Sequence, residues 1–187
     1  MSRIRESSLD KVPTIILDAV RRGIGKLVRH KNIVYRFDRG AYAASTPVVR
    51  PPGFAVKRCE RNTDIPSSFW PASDRTEAPV EKKLIDHGFA NGGVFWIAYI
   101  GEHIAGFQWS IRGRFLKKWS VNLDPNDLVI YNCVTFNAFR GRGIHPAAIR
   151  HIIENEATDD INVYCDVAEW NVVSKRNFEK SGFRRLE

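Results

Sequence analysis

"FRGRGIHPAAIRHIIENEA" spans residues 139–157, and its first half decides the fold. Arginine and glycine alternate, Arg140-Gly141-Arg142-Gly143, directly before an apolar stripe. That stripe, Ile144, Ala148, Ile149, Ile152 and Ile153, has helical spacing and predicts a helix from about Ile144 to Ala157. Upstream, "DLVIYNCVTF" (127–136) is mostly apolar and of strand length, as a central strand would be. A strand, a glycine-rich turn and a helix start make an anion site with a physical cause. The first amides of a helix lack carbonyl partners and point outward. The peptide dipoles add partial positive charge at the same end. Gly141 and Gly143 remove side chains that would hold a phosphate away. Arg140 and Arg142 add charge and bidentate hydrogen bonding. The turn suits a pyrophosphate. Pro146 removes one amide but presets the first helical turn.

The pattern continues on both sides. "INVYCDVAEW" (161–170) reads as a strand, "VVSKRNFEKSG" (172–182) as a short helix ending at Gly182, and "FRRLE" as the start of one more strand. Toward the N-terminus, "VFWIAYIGEHIAGFQWSI" (94–111) is a hairpin, two apolar runs around Gly101-Glu102. "TEAPVEKKLIDHG" (76–88) reads as a helix closed by Gly88, "NTDIPSSFWPASDR" (62–75) as loop, and "FAVKRCE" (54–60) as a strand. The order β-α-β-β-β-α-β-α-β predicts an α/β sheet with helices on its faces.

The remaining N-terminal part differs in charge. Residues 1–60 hold 13 Lys/Arg and 5 Asp/Glu, a net of +8; residues 61–187 hold 16 of each. Partners chosen by charge would meet the first third. Residues 9–29 predict an amphipathic helix: Val12, Ile16, Ala19, Val20, Ile24 and Leu27 on one side, Arg21, Arg22, Lys26 and Arg29 on the other. Such a helix lies either on its own domain or on an anionic membrane surface. "NIVYRFD" (32–38) reads as a short strand, and "AYAASTPVVRPPG" (41–53) as a linker. The expected division is a basic extension with linker, 1–52, and a domain, 53–187. With 43% hydrophobic residues the chain can bury a core. Cys59, Cys133 and Cys165 show no metal-ligand spacing and read as reduced thiols, so no metal and a cytoplasmic setting are expected. Nothing resembles a signal peptide or membrane span.

Residues 54–187 together resemble the GNAT (Gcn5-related) N-acetyltransferase superfamily. Its phosphate motif is Arg/Gln-x-x-Gly-x-Gly/Ala; Arg140 and Gly143 match, and His145 stands at the last position. Its later motif is met by Asn171, Ser174, Phe178, Glu179, Lys180, Gly182 and Phe183. The resemblance implies a mixed, mostly antiparallel central sheet with helices on both faces and a splayed fourth and fifth strand, here 127–136 and 161–168. It implies acetyl-CoA as co-substrate, without metal. Backbone amides of Arg140, Gly141, Arg142, Gly143, Ile144 and His145 would hold the pyrophosphate. Main-chain groups of Cys133, Val134 and Thr135 would pair with the pantetheine arm, and Asn171 and Ser174 would face it. Read without that ligand, Asn171 is a helix N-cap, Ser174 a surface hydroxyl, and His145 either a phosphate contact or an exposed loop residue.

The implied reaction is direct attack of a neutral amine on the thioester. Two usual positions depart from the family. A glutamate in many members corresponds to Val129, and the tyrosine that protonates the thiolate corresponds to Phe178. Tyr131 shares a strand face with Val129 and is the candidate catalytic or water-ordering group, with a core tyrosine as the alternative. Asp127, Cys165, Asp166, Glu169 and His103 are weaker candidates. Loops 61–75 and 112–126 carry Trp70, Arg112, Arg114, Lys117, Lys118 and Trp119, which suits a small amine acceptor that is anionic or sugar-containing. The family's last two strands form a hairpin, and here only "FRRLE" follows the helix. The open edge would invite another chain, a second protomer included. The competing reading is a catalytically silent CoA-binding or interaction module, docking through its basic N-terminus. Nucleic-acid binding has only charge in its favour and no motif.

Overall fold

The computed structural model describes residues 32–40, 48–74 and 80–186. The predicted helix 9–29, and with it any membrane contact, lies outside them. The described residues form seven strands: β1 (Asn32–Phe37), β2 (Phe54–Cys59), β3 (Val94–Ile100), β4 (His103–Arg112), β5 (Leu128–Thr135), β6 (Val163–Ala168) and β7 (Phe183–Arg185). Four helices accompany them: α1 (Phe69–Asp74), α2 (Lys82–Ala90), α3 (Ile144–Glu156) and α4 (Val172–Lys180). The strands form one mixed, mostly antiparallel sheet in the order β2-β3-β4-β5-β6-β1-β7. Among the described residues no helix is long and apolar enough to cross a membrane.

Alternation along each strand sends side chains to two separate cores. On one face, Ile149, Ile152 and Ile153 of α3 and Phe178 of α4 pack on Leu128, Ile130, Val163, Cys165 and Val167. On the other, Phe69 of α1 and Ile85 of α2 pack on Phe95, Ile97, Phe107 and Trp109. Helices therefore cover both faces, as the sequence predicts. Burying an aromatic or branched side chain of this kind contributes about 1.5–3 kcal/mol. These two cores pack against β4 and β5 in the middle of the sheet.

Three local expectations change. Residues 69–74 form a helix where loop was expected; Phe69, fully buried, holds it in place by edge contacts to Phe95 and Phe107 at 5.3 and 5.9 Å. Gly88 does not close its helix, which runs on to Ala90. It is instead where α2 approaches the sheet, since a β-carbon there would lie 2.4 Å from the Trp109 ring. The third change concerns the sheet edge. β1 lies between β6 and β7, pairing antiparallel with β7 from Tyr35↔Arg185 to Phe37↔Phe183. The strand 32–37, placed by sequence in the extension, thus belongs to the sheet. It fills from the same chain the position that seemed to need another strand.

Candidate active site

β5 and β6 run parallel but share only two registered pairs, Leu128↔Val163 and Val129↔Tyr164. Beyond these the strands separate. The opened gap holds a cavity of about 150 Å³ lined by Asn132, Cys133, Asp166, Val167, Ala168, Asn171, Ser174 and Phe178. It is the fork that the sequence resemblance implied, and it gathers residues from β5, β6 and α4.

A bulge in β5 shapes one wall. Phe107 of β4 is opposite Val134, but Trp109 is opposite Tyr131, so β5 carries one extra residue. Asn132 takes up the excess at φ 48°, where asparagine is better tolerated than most side chains. The extra residue leaves main-chain groups of 132–133 out of the β4 ladder. It also shifts the alternation: Cys133 packs with the α3 core and Val134 with the α2 core. No sequence signal marked this bulge.

The glycine turn lies where β5 hands over to α3. Gly143 is the N-cap of α3 in the left-handed region, φ 75°, and Gly141 has φ 76°. Glycine adopts both without penalty. A β-carbon on Gly141 would meet nothing within 4 Å, so the turn is open rather than plugged. The amides of Ile144 and His145 belong to the first turn of α3, which has no carbonyls one turn back; Pro146 supplies none. Arg140 Nε donates to the Thr135 carbonyl at 3.3 Å, and the Arg142 guanidinium lies 5.5 Å from the Phe139 ring centroid. Both arginines are exposed. The imidazole of His145 turns the other way, edge-on to Phe178 at 5.2 Å. Its buried Nε2 meets no hydrogen-bonding group among the described residues, and burial lowers its pKa to about 4. Only its main chain remains available to an anion.

Asn171 is the N-cap of α4: its Oδ1 accepts from the Ser174 amide at 3.1 Å. Both side chains also line the fork cavity, so capping and ligand contact are compatible. Cys133 lines it too, and burial pushes its thiol up to about 12. Phe178, which the resemblance sets at the family's tyrosine position, lines the cavity with hydrocarbon only.

A second cavity of about 580 Å³ opens on the α2 face. Its lining includes Leu84 and Gly88 of α2, Phe107, Trp109 and Ile111 of β4, Leu116 and Trp119, and Val129, Tyr131 and Val134 of β5. Asn132 and Asp166 line both cavities, so the two meet there. Tyr131 stacks on Trp109 with centroids 6.1 Å apart and 23° between planes. Burial raises its pKa to about 12, which leaves a neutral phenol that donates hydrogen bonds and does not act as a base at neutral pH. The other candidates fall elsewhere. Asp127 accepts from the Asp124 amide at 2.8 Å and from Asn162 at 3.3 and 3.2 Å, a structural pin. Cys165 lies in the α3 core, His103 and Glu169 are exposed. The basic loop residues do not line the cavity: Arg112 holds Glu156 at 2.7 Å, Arg114 reaches Asn126 at 3.2 Å, and Lys117 and Lys118 are exposed. Trp70 packs into the α2 core. Asp166, a weaker candidate by sequence, lines both cavities. The alternation of β6 carried the signal, since Asp166 shares a face with Tyr164. No cluster suited to a metal ion is present among the described residues.

Comparison with known proteins agrees with this architecture. A putative acetyltransferase from Novosphingobium aromaticivorans superposes with TM-score 0.54 at 22% identity, over 83% of this chain and 60% of that one. The ribosomal-protein-S18-alanine N-acetyltransferase of Escherichia coli gives TM-score 0.52 at 15% identity, over 72% and 79%. A functionally unknown conserved protein from Staphylococcus epidermidis gives 0.54 at 12%, over 95% and 66%. At these identities the likeness is one of fold, and this chain spans less than two thirds of the first and third of these proteins. No curated protein matches the sequence. The family model described as the acetyltransferase (GNAT) family matches residues 59–183, from the end of β2 to the start of β7. The chain therefore belongs to the GNAT acetyltransferase family.

Proposed function

We propose that the chain binds acetyl-CoA in the fork between β5 and β6 and passes the acetyl group directly to an amine. The observation that carries this reading is the early parting of β5 and β6 into a cavity faced by Asn171 and Ser174, beside an open glycine turn at a helix start. Membership of the family supports acyl transfer in general. The amides of residues 141–145 suit a diphosphate, and Arg140 and Arg142 add charge from the open side. Main-chain groups of Cys133, Val134 and Thr135, beyond the last β6 pair, suit the amides of a pantetheine arm. The main chain released at the bulge stands where the two cavities meet, and there it suits polarisation of a thioester carbonyl. Cys133 supports direct attack over a covalent acyl-enzyme, because a thiol with a pKa near 12 holds almost no thiolate at neutral pH. Tyr131, on the wall of the larger cavity and next to the bulge in the chain, is one hydrogen-bond donor beside this chemistry, and water or Ser174 remains to protonate the sulfur, since Phe178 does not.

Calorimetry with acetyl-CoA tests the site. Arg140→Ala is expected to weaken binding about 10-fold, and Arg140→Ala with Gly143→Glu about 100-fold or more, with thermal unfolding checking that each variant folds. Equal binding by all three proteins would remove the assignment. The hydrocarbon at Val129 and Phe178 favours a second reading, a silent CoA-binding module. Tight acetyl-CoA binding with no CoA release across a broad amine panel would establish it.

A further inference from the structure

We infer that the acceptor is a hydrophobic, aryl-bodied primary amine whose cationic end meets Asp166; this rests on the acyl-transfer reading above. The larger cavity, about 580 Å³, lies within the range of small-ligand sites. Its walls are aromatic and aliphatic. Trp109 and Tyr131 present a stacked pair, and Trp119, itself edge-on to Tyr164 at 5.9 Å, closes another side. Val129 and Ile111, both buried, form an apolar floor. Among the described residues, no lysine or arginine is in the lining. The basic residues that suggested an anionic or sugar-containing acceptor are engaged with Glu156 and Asn126 or exposed, as described above. A sugar phosphate would lose its hydration here and meet no lysine or arginine among the described residues.

Among the described residues of the lining, the one carboxylate is that of Asp166. Asp166 stands at the junction with the fork, on the lining of both cavities. His87, exposed on α2, is the other ionisable group besides Tyr131. Continuing the register of the last two pairs, Leu128↔Val163 and Val129↔Tyr164, sets Asp166 across the fork from Tyr131, on the same face. The carboxylate thus faces the strand two residues beyond Val129, the position that the family resemblance assigns to a glutamate. It is placed to attract an ammonium group to the point where the fork cavity begins. Apolar walls lower the amine pKa and ease its deprotonation. The balance is simple. The ammonium nitrogen gives one proton to Asp166, which returns it to solvent. The freed lone pair forms the C–N bond, the C–S bond breaks, and the second nitrogen proton ends on the departing sulfur. Amide, thiol and one released proton result.

Two independent titrations of the full chain keep the readings apart. Calorimetry with acetyl-CoA reports the fork. Quenching or shift of tryptophan fluorescence with 2-phenylethylamine or tryptamine reports the acceptor cavity. CoA release is then compared for these amines, glucosamine 6-phosphate and spermidine. The aryl amines are expected to exceed both others in kcat/KM by about 100-fold. Asp166→Asn is expected to weaken aryl-amine binding about 10-fold and lower kcat at least 100-fold, a larger loss than in acetyl-CoA affinity. Leu84→Arg, at a position 59% exposed, tests the cavity without burying anything new; aryl-amine kcat/KM should fall about 10-fold. Preference for the phosphorylated sugar or the polyamine, or full turnover by Asp166→Asn, overturns the inference. Amine binding without acetyl-CoA binding overturns the fork reading and leaves the acceptor class standing.

Discussion

The His145 imidazole lies against Phe178, and burial alone lowers its pKa to about 4 from an ordinary 6.5. Unfolded chains take up that proton near pH 6.5, native ones only near 4. Between these values the unfolded state holds more protons, so stability falls as pH drops through the window and is unaffected by this group above it. The full loss below both values is roughly 3 kcal/mol for a shift of this size. His151 is lowered too, first by burial and then by Arg50, and adds in the same direction. His145→Leu is expected to keep the neutral-pH denaturation midpoint nearly unchanged and to shallow the decline between pH 6.5 and 4 by about 2 kcal/mol. Urea unfolding at four or five pH values measures it. An equally steep decline in the variant assigns the effect to other groups. The same residue shows a limit of sequence reading. A histidine two places after a glycine in a phosphate turn looks like a ligand, and only the packing of α4 against α3 reveals that its ring faces inward.

At the scale of elements, the bulge in β5 makes the sharpest claim. Asn132 at φ 48° occupies a region that costs most side chains about 1–2 kcal/mol and glycine nothing. Asn132→Gly should therefore fold with a midpoint within about 1 kcal/mol of the parent. Asn132→Val should lose about 1–2 kcal/mol by chemical denaturation and more in acetyl-CoA affinity, because a regular ladder would send Cys133 to the other face. Identical stability of the valine variant would deny the bulge. A companion test sits on α2: Gly88→Ala drives a methyl into the Trp109 ring, at 2.4 Å before relaxation, and should cost about 1–3 kcal/mol while narrowing the acceptor cavity. What the sequence revealed at this scale was local in cause. The hairpin around Gly101, the apolar strand 128–135 and the glycine turn each declare themselves within a dozen residues. α1 did not, because a proline- and serine-rich stretch is helical only through the burial of Phe69. The larger cavity did not either, since α2, β4, β5 and β6 line it together and only the strand order brings them side by side.

At the scale of the molecule, sheet completion depends on a contact between the two ends of the described chain. Arg36 pairs with Arg184 across roughly 150 residues, and no local pattern encodes so distant a partner. β1 is held on several sides. The Asp38 amide donates to the Gly182 carbonyl and the Leu186 amide to the Val34 carbonyl, both at 2.9 Å. The Tyr35 hydroxyl donates to Glu179 on α4 at 3.2 Å. Ile33, Tyr35 and Phe37 enter the same core as α3 and α4. At about 1.5–3 kcal/mol for each buried side chain, their loss removes an amount comparable with the whole stability of an ordinary domain. It also exposes an edge of β6, the strand that carries Asp166 into the fork. A form starting at Gly40 is accordingly expected to lose cooperative thermal unfolding and acetyl-CoA binding together. Adding a synthetic peptide of residues 32–38 should restore both, because the missing piece is one strand with its own pairing register rather than a covalent link. Size-exclusion chromatography separates this outcome from aggregation through the open edge. If the shortened form melts with the parent's midpoint and binds acetyl-CoA equally well, β1 is not the strand that completes the sheet, and the support it lends to β6 and the fork must come from elsewhere.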